Sequence, residues 1–199
     1  MIKRRTLVAA AAACLATPGL LRAKDPGPQE IFFDKDIPVL GNPKGDVTIA
    51  EFFDYQCGYC KTYHPVVSKV VKEDGHVRLV MKDWPVFGPA SVFAAQAVLA
   101  IANLGQYQAA QDALLGIKGG LTQDSVSQAL ESVGVDMTAV KAAANKNSDK
   151  ISRLLDRNWL QAQALNFRGT PSFVIGTTLY PGALDEKALK EAIAKARAA

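Results

Sequence analysis

Apolar residues are distributed along the chain in two patterns. Residues 47–53 are apolar on both faces except at Glu51, and 77–82 are a second, predominantly apolar run, as strands covered on both faces would be. Between them, residues 57–74 place Val66, Val67, Val70 and Val71 on one side and Lys61, Lys69 and Lys72 elsewhere, the periodicity of a helix. Asp74-Gly75 predicts its end, and Pro65, which removes a ladder hydrogen bond, predicts a kink near Thr62 to His64. Strand, helix and strand in this order predict a parallel pair joined by a right-handed crossover.

From 89 to 166 the pattern is helical throughout. Helices are predicted over 91–104, 106–115, 122–133 with a cap at Thr122, 136–144 and 146–165. In the last, Ile151, Leu154, Leu155, Trp159 and Ala162 are spaced to share one face. The segments differ in length and pattern, which excludes a tandem repeat. After Gly169-Thr170-Pro171, residues 172–175 and 177–180 predict a hairpin about Gly176, and 185–198 a closing helix. The lead-in over 24–45 carries Pro26, Pro28, Pro38 and Pro43, with a short edge strand expected at Ile31-Phe32-Phe33. The fold class is α/β, in a chain of 199 residues that suits one domain carrying a subdomain.

The first 23 residues change the charge reading. Lys3-Arg4-Arg5, an alanine-rich apolar run to Ala16 and Leu21-Arg22-Ala23 predict a cleaved export signal, by either a general or a twin-arginine route. The apolar run is too short to span a membrane, so a soluble exported product is expected, periplasmic in a bacterial cell. Cutting after Ala23 removes Lys3, Arg4, Arg5 and Arg22, and leaves 19 basic residues against 19 acidic ones. No polybasic cluster remains to favour nucleic acid or an anionic membrane.

Cys14 lies inside that signal, so the mature chain keeps only Cys57 and Cys60, in Cys57-Gly58-Tyr59-Cys60. A thiol at a helix start faces unpaired N–H groups and the positive end of the helix dipole, which favour thiolate. Cys57 is therefore the expected nucleophile. Cys60, one turn further in, is the expected resolving thiol. A bridge between them closes too small a loop to act as a structural staple, which points to redox chemistry. The competing reading, half of a zinc site, has only His64 and His76 as nitrogen donors, where four ligands are usual. His64 shares the cysteines' face or lies on the helix surface; His76 takes no role.

With these features and the run Gly169-Thr170-Pro171-Ser172-Phe173-Val174-Ile175, the chain from about Val39 to its C-terminus resembles the DsbA family of thioredoxin-fold thiol–disulfide oxidoreductases. The Phe52-Phe53-Asp54-Tyr55 run and the preceding Gly41-Asn42-Pro43 look most like the branch that includes ScsC. The resemblance implies a thioredoxin-like fold, residues 46–88 and 167–199, with an inserted all-helical subdomain over 89–166. It implies that Pro171 is cis beside Cys57, and that Thr170 and Pro171, with Gly58 and Tyr59, bind an extended substrate strand. It also makes Glu51 a buried acid behind the site and places Lys82 near it, either as a proton relay for Cys60 or as a structural ion pair. Tyr59, Trp84, Phe87 and Tyr180 either line an apolar surface or belong to the core.

Gly58-Tyr59 between the cysteines and Thr170 before the proline look more like an isomerase than a strong oxidase. The short lead-in points the other way, to a monomer, because isomerases of this group oligomerise through a longer N-terminal segment. The resemblance implies exchange with cysteine-containing exported proteins and a membrane redox partner, and no metal or nucleotide cofactor. The alternatives are an isomerase or reductase that works reduced, or a non-enzymatic chaperone or metal-binding module.

Overall fold

A computed structural model of the chain describes residues 26–199; the export signal expected over residues 1–23, with Cys14, lies outside them. The sheet has the order β1-β3-β2-β4-β5. Its centre is β2 (Val47–Phe53), parallel to β3 (Val77–Asp83) on one side and antiparallel to β4 (Ser172–Ile175) on the other. β1 (Val39–Gly41) and β5 (Thr178–Pro181) are the antiparallel edges. Ile49, Ala50 and Phe52 on β2 and Val80 on β3 are fully buried, as continuous apolar runs covered on both faces require.

Helices cover the two faces. On one lie α2 (Gly58–Asp74) and α8 (Glu186–Arg197), which bury Val67, Val70, Val71, Leu189 and Ile193. Exposed ion pairs tie the two, including Lys69–Glu186 at 2.9 Å and Arg197–Asp74 at 2.8 Å. α2 ends as expected at Gly75, whose φ of 70° is the left-handed conformation of a helix C-cap. The helix is continuous through Pro65.

On the other face lie α1 (Pro28–Phe32) and α7 (Ser148–Ala164). α1 corrects the expected edge strand at Ile31-Phe32-Phe33. Gly27 is its N-cap, Pro28 opens the first turn, and the Glu30 carboxylate accepts from the Gly27 N–H at 2.8 Å, so the segment coils and buries Ile31 and Phe32 together. The edge strand is β1 instead, which the proline-rich lead-in concealed.

α3 (Pro89–Ile101), a 3₁₀ turn (Ala102–Leu104), α4 (Tyr107–Leu115), α5 (Gln123–Ser132), α6 (Met137–Lys146) and α7 all lie between β3 and β4 in the chain. Side-chain caps start three of the later helices. Thr122 accepts from the Ser125 N–H at 3.0 Å, Asp136 from Thr138 N–H at 2.8 Å and Asp185 from Ala188 N–H at 2.8 Å.

The buried stripe of α7 differs from the apolar one read in the sequence. It runs through Ile151, Leu154, Asn158, Gln161 and Ala162, while Trp159 is half exposed. The two polar residues satisfy buried groups at the end of β3: Asn158 donates to the Asp83 carbonyl at 3.0 Å, and the Gln161 Oε1 accepts from the Lys82 Nζ at 2.8 Å. Trp84 joins the core, edge-on to Phe52 with ring centres 6.3 Å apart.

The lead-in crosses the β2–β3 connection closely at Gly45, where a Cβ would collide with the backbone of His76, Val77 and Arg78. Gly45→Ala is therefore expected to destabilise the protein by about 1–3 kcal/mol. Gly120→Ala, where a Cβ meets nothing, should stay within about 0.5 kcal/mol. Equal urea-unfolding midpoints for the two variants would refute the close approach.

Candidate active site

At its C-terminal end β2 gives way to Asp54-Tyr55-Gln56, a turn closed by the Asp54 carboxylate. Its Oδ1 accepts from the Gln56 N–H at 2.7 Å and the Ser91 hydroxyl at 2.7 Å. Its Oδ2 accepts from the N–H groups of Val86 at 2.6 Å and Phe87 at 3.0 Å. One buried carboxylate thus joins the strand end, the loop after β3 and the start of α3. Gln56 extends the tie, its amide donating to the Phe87 carbonyl at 3.0 Å and accepting from the Leu121 N–H at 3.0 Å.

Cys57 follows as the N-cap of α2, its sulfur accepting from the Cys60 N–H at 3.3 Å. The loop before β4 returns to the same sulfur: in its thiol form Cys57 Sγ–H donates to the Thr170 carbonyl at 3.1 Å, across 113 positions of sequence. The Thr170–Pro171 peptide bond is cis. The expected convergence of Cys57, Cys60, Gly58, Tyr59, Thr170 and Pro171 is therefore present.

Cys57 and Cys60 are both free thiols with almost no exposed surface, and hydrogen bonding and desolvation displace their pKa values in opposite directions. The Cys60 side chain, donating to the Cys57 sulfur, leads in lowering its pKa to about 6 against the opposing effect of burial, helped by the N–H groups of Cys60 and Tyr59. Burial pushes the Cys60 thiol far up, and the same hydrogen bond to Cys57 adds to the rise. At neutral pH this arrangement can hold Cys57 as thiolate and Cys60 as thiol.

Glu51 lies on the cysteines' side of the sheet. Burial raises its carboxyl to about 8, with a further rise from the charge on Cys57, and its Oε2 is buried with no hydrogen-bond partner. Lys82 is not its neighbour, which corrects the expected pair. In the parallel β2–β3 register Glu51 stands beside Met81 and Lys82 beside Phe52, so the two side chains leave opposite faces. Lys82 sits 5.9 Å above the Phe52 ring and bonds Gln161; burial lowers its pKa to about 7, partly opposed by the charge of Asp34.

Tyr59 and Phe87 are exposed beside the site, Tyr180 is half-buried and Trp84 is core. His64 is tied to α4, its Nε2 2.6 Å from Asp112. Among the described residues no group of three or more His, Cys, Asp or Glu is placed to hold a metal. The sequence reading missed the Asp54–Gln56 junction, although a short acidic residue between an apolar strand and a helix start is a recognisable turn signal. It also missed the buried cluster in which Tyr107 donates to Asp83 at 3.3 Å; burial raises that carboxyl to about 7.

The family model described as thioredoxin matches residues 34–195. Among solved structures, a thioredoxin-like oxidoreductase from Silicibacter pomeroyi is 38% identical, with a TM-score of 0.84 over 87% of this chain and 99% of that one. The thiol–disulfide exchange protein alpha-DsbA2 from Wolbachia pipientis is 30% identical, with a TM-score of 0.79 over 84% of this chain and 90% of that one. The catalytic domain of Proteus mirabilis ScsC is 28% identical, with a TM-score of 0.77 over 86% of this chain and 94% of that one. A curated relative, a Na(+)/H(+) antiporter NhaA of Salinispora tropica, is 26% identical over 79% of this chain, which spans only 24% of that protein's length. Among the described residues no helix is long and apolar enough to cross a membrane.

The raised Glu51 carboxyl has a consequence for stability. Below pH 4.5 it is protonated whether the chain is folded or unfolded; as pH rises from 4.5 to about 8 only the unfolded chain ionises, and stability falls. Glu51→Gln is therefore expected to be more stable than the parent by about 3 kcal/mol at pH 7, with the gain gone at pH 4. Urea titrations at the two pH values check this; a gain that persists at pH 4 would refute it.

Proposed function

The chain belongs to the thioredoxin family, and we propose that it is an exported thiol–disulfide oxidoreductase that exchanges disulfides with cysteine-containing proteins through Cys57 and Cys60. The observation that carries this reading is the opposite displacement of the two thiols, Cys57 down to about 6 and Cys60 far up, beside the Thr170 carbonyl. The similar proteins include one that is itself a thiol–disulfide exchange protein. Export rests on the basic-then-apolar pattern of residues 1–23.

In the oxidised protein a substrate thiolate attacks the Cys57 sulfur. The Cys57–Cys60 bond breaks, its electron pair passes to the Cys60 sulfur, and that sulfur takes up a proton. A second substrate thiolate then attacks the substrate sulfur of the mixed disulfide and expels Cys57 as thiolate. The substrate has lost two electrons and the Cys57–Cys60 pair has gained them. A membrane redox partner restores the starting state.

Thr170 and Pro171 present backbone to the substrate strand, with Gly58 and Tyr59 beside them. Glu51, still protonated at neutral pH, gives Cys60 its proton in this direction and takes it in the reverse. Lys82, on the far face, is left to the structural network with Gln161.

The low Cys57 pKa favours the reduced thiolate and hence disulfide donation. The reductase or isomerase reading rests on Gly58-Tyr59, on Thr170 and on the likeness to ScsC. Equilibration of the mature protein with glutathione separates them: a potential near about −120 mV marks a donor and one near about −270 mV a protein that works reduced. Cys57→Ser should abolish exchange and Cys60→Ser should accumulate the mixed disulfide. Full function in the double variant would overturn the reading in favour of a binding module.

Glu51→Gln should slow the steps that move the Cys60 proton by about 100-fold. A pH–rate profile unchanged from the parent's would remove Glu51 from the mechanism.

A further inference from the structure

Two grooves open beside the nucleophile, one on each side. The first contains Thr170, which accepts the hydrogen bond from the Cys57 sulfur, together with Pro171, Tyr59 and Arg168, and has a volume of ≈ 500 Å³. The second is bordered by Gln56 and Gly58, the residues on either side of Cys57 in the chain, and by Lys61, Lys118 and Gly119, with a volume of ≈ 740 Å³. Its far wall is held in place: the Lys61 Nζ donates to the Gly119 carbonyl at 2.8 Å and Gln56 accepts from the Leu121 N–H at 3.0 Å.

The ionisable lining is one-sided. The charged side chains of the two grooves are Lys61, Lys118 and Arg168, and no carboxylate lines either groove among the described residues. Lys118 and Arg168 are exposed and make no salt bridge among the described residues. On adjoining segments Asp54 accepts four hydrogen bonds while its charge still acts on Lys61, Asp112 is bound to His64, exposed Asp185 caps α8, exposed Asp124 stands in the first turn of α5, and Glu51 keeps its proton to about pH 8. The segment after the predicted cleavage site carries 19 basic and 19 acidic residues, so this cationic ring is a local field and no consequence of overall charge.

We propose that the three cations select the substrate: Cys57 exchanges preferentially with cysteines that stand beside acidic residues in an extended chain. This rests on the exchange reading above and adds the class of substrate sequence. An extended strand advances about 3.3 Å per residue, so side chains within a few positions of a substrate cysteine held at Cys57 fall over the two grooves. Carboxylates there meet Lys118 and Arg168, while lysines or arginines meet like charge. The discrimination is a surface effect and weakens in salt.

The test uses three dithiol peptides of one sequence, with the residues flanking each cysteine all Glu, all Gln or all Lys. The rate at which each reduces the oxidised protein is divided by its rate with hydroxyethyl disulfide, a neutral reagent that corrects for the peptides' own thiol reactivity. The corrected rates are expected in the order Glu, Gln, Lys, with about a tenfold span at low ionic strength that contracts in salt. In the Lys118→Gln/Arg168→Gln variant the Glu-to-Lys ratio should fall toward one, while Lys150→Gln, on α7 and paired with Asp36, should leave it at the parent's value. Equal corrected rates, faster Lys peptides, or a ratio untouched by the double variant would overturn the selection. Failure of all three peptides to reduce the protein would overturn the exchange reading itself.

Discussion

The site depends on one sulfur being held where three pieces of chain meet. The Cys57 sulfur caps the start of α2, accepts the Cys60 N–H at 3.3 Å and donates to the Thr170 carbonyl at 3.1 Å. None of these pieces can move independently. β2 fixes the turn before the helix, the β2–β4 pairing fixes the strand that follows Pro171, and both strands are buried. A helix start, which has unpaired N–H groups in any protein, becomes here the place where a thiolate is stabilised and where the backbone of a second segment is brought to it.

From that placement follows an electrostatic separation across the sheet. On the α2 face burial holds Glu51 protonated to about pH 8 and keeps Cys60 a thiol, while hydrogen bonds draw Cys57 down to about 6. On the opposite face Lys82, lowered to about 7, answers to Asp34, Arg157 and Gln161. The pleat of β2 and β3 separates the two systems, because residues paired in register leave the same face and their neighbours in sequence leave the other. The proton chemistry proposed for Cys60 thus rests on Glu51 alone.

The helices between β3 and β4 do more than cover the sheet. Asp54 binds the loop at Val86–Phe87 and the start of α3 to the turn before Cys57, and Gln56 and Lys61 bind the segment at Gly119–Leu121 to the first turn of α2. These polar ties shape the walls on one side of the nucleophile and set exposed Phe87 and Lys118 there. In the proposed cycle the start of α2 supplies the reactive thiol and the inserted helices supply part of the surface that meets the substrate.

Local pattern is enough to read the strands β2 and β3, the helix between them, the helical run after them, the hairpin and the identity of the two thiols. Each of these is written locally, as an apolar run, a 3.6-residue period, a capping residue or a Cys-x-x-Cys spacing. The lead-in is ambiguous by pattern: Ile31-Phe32-Phe33 has an apolar content that fits a strand or a helix, and Gly27, Pro28 and Glu30 at its start decide for the helix. The buried face of α7 lies away from Trp159, because Asn158 and Gln161 are buried for partners on β3 that no helical periodicity can reveal. Tertiary contacts set Glu51 and Lys82 on opposite faces, make Asp54 a junction of four donors and bring Lys61, Lys118 and Arg168 to the two grooves beside the active-site turn. Each of these depends on strand register or on contacts between residues far apart in the chain, and a one-dimensional pattern carries neither.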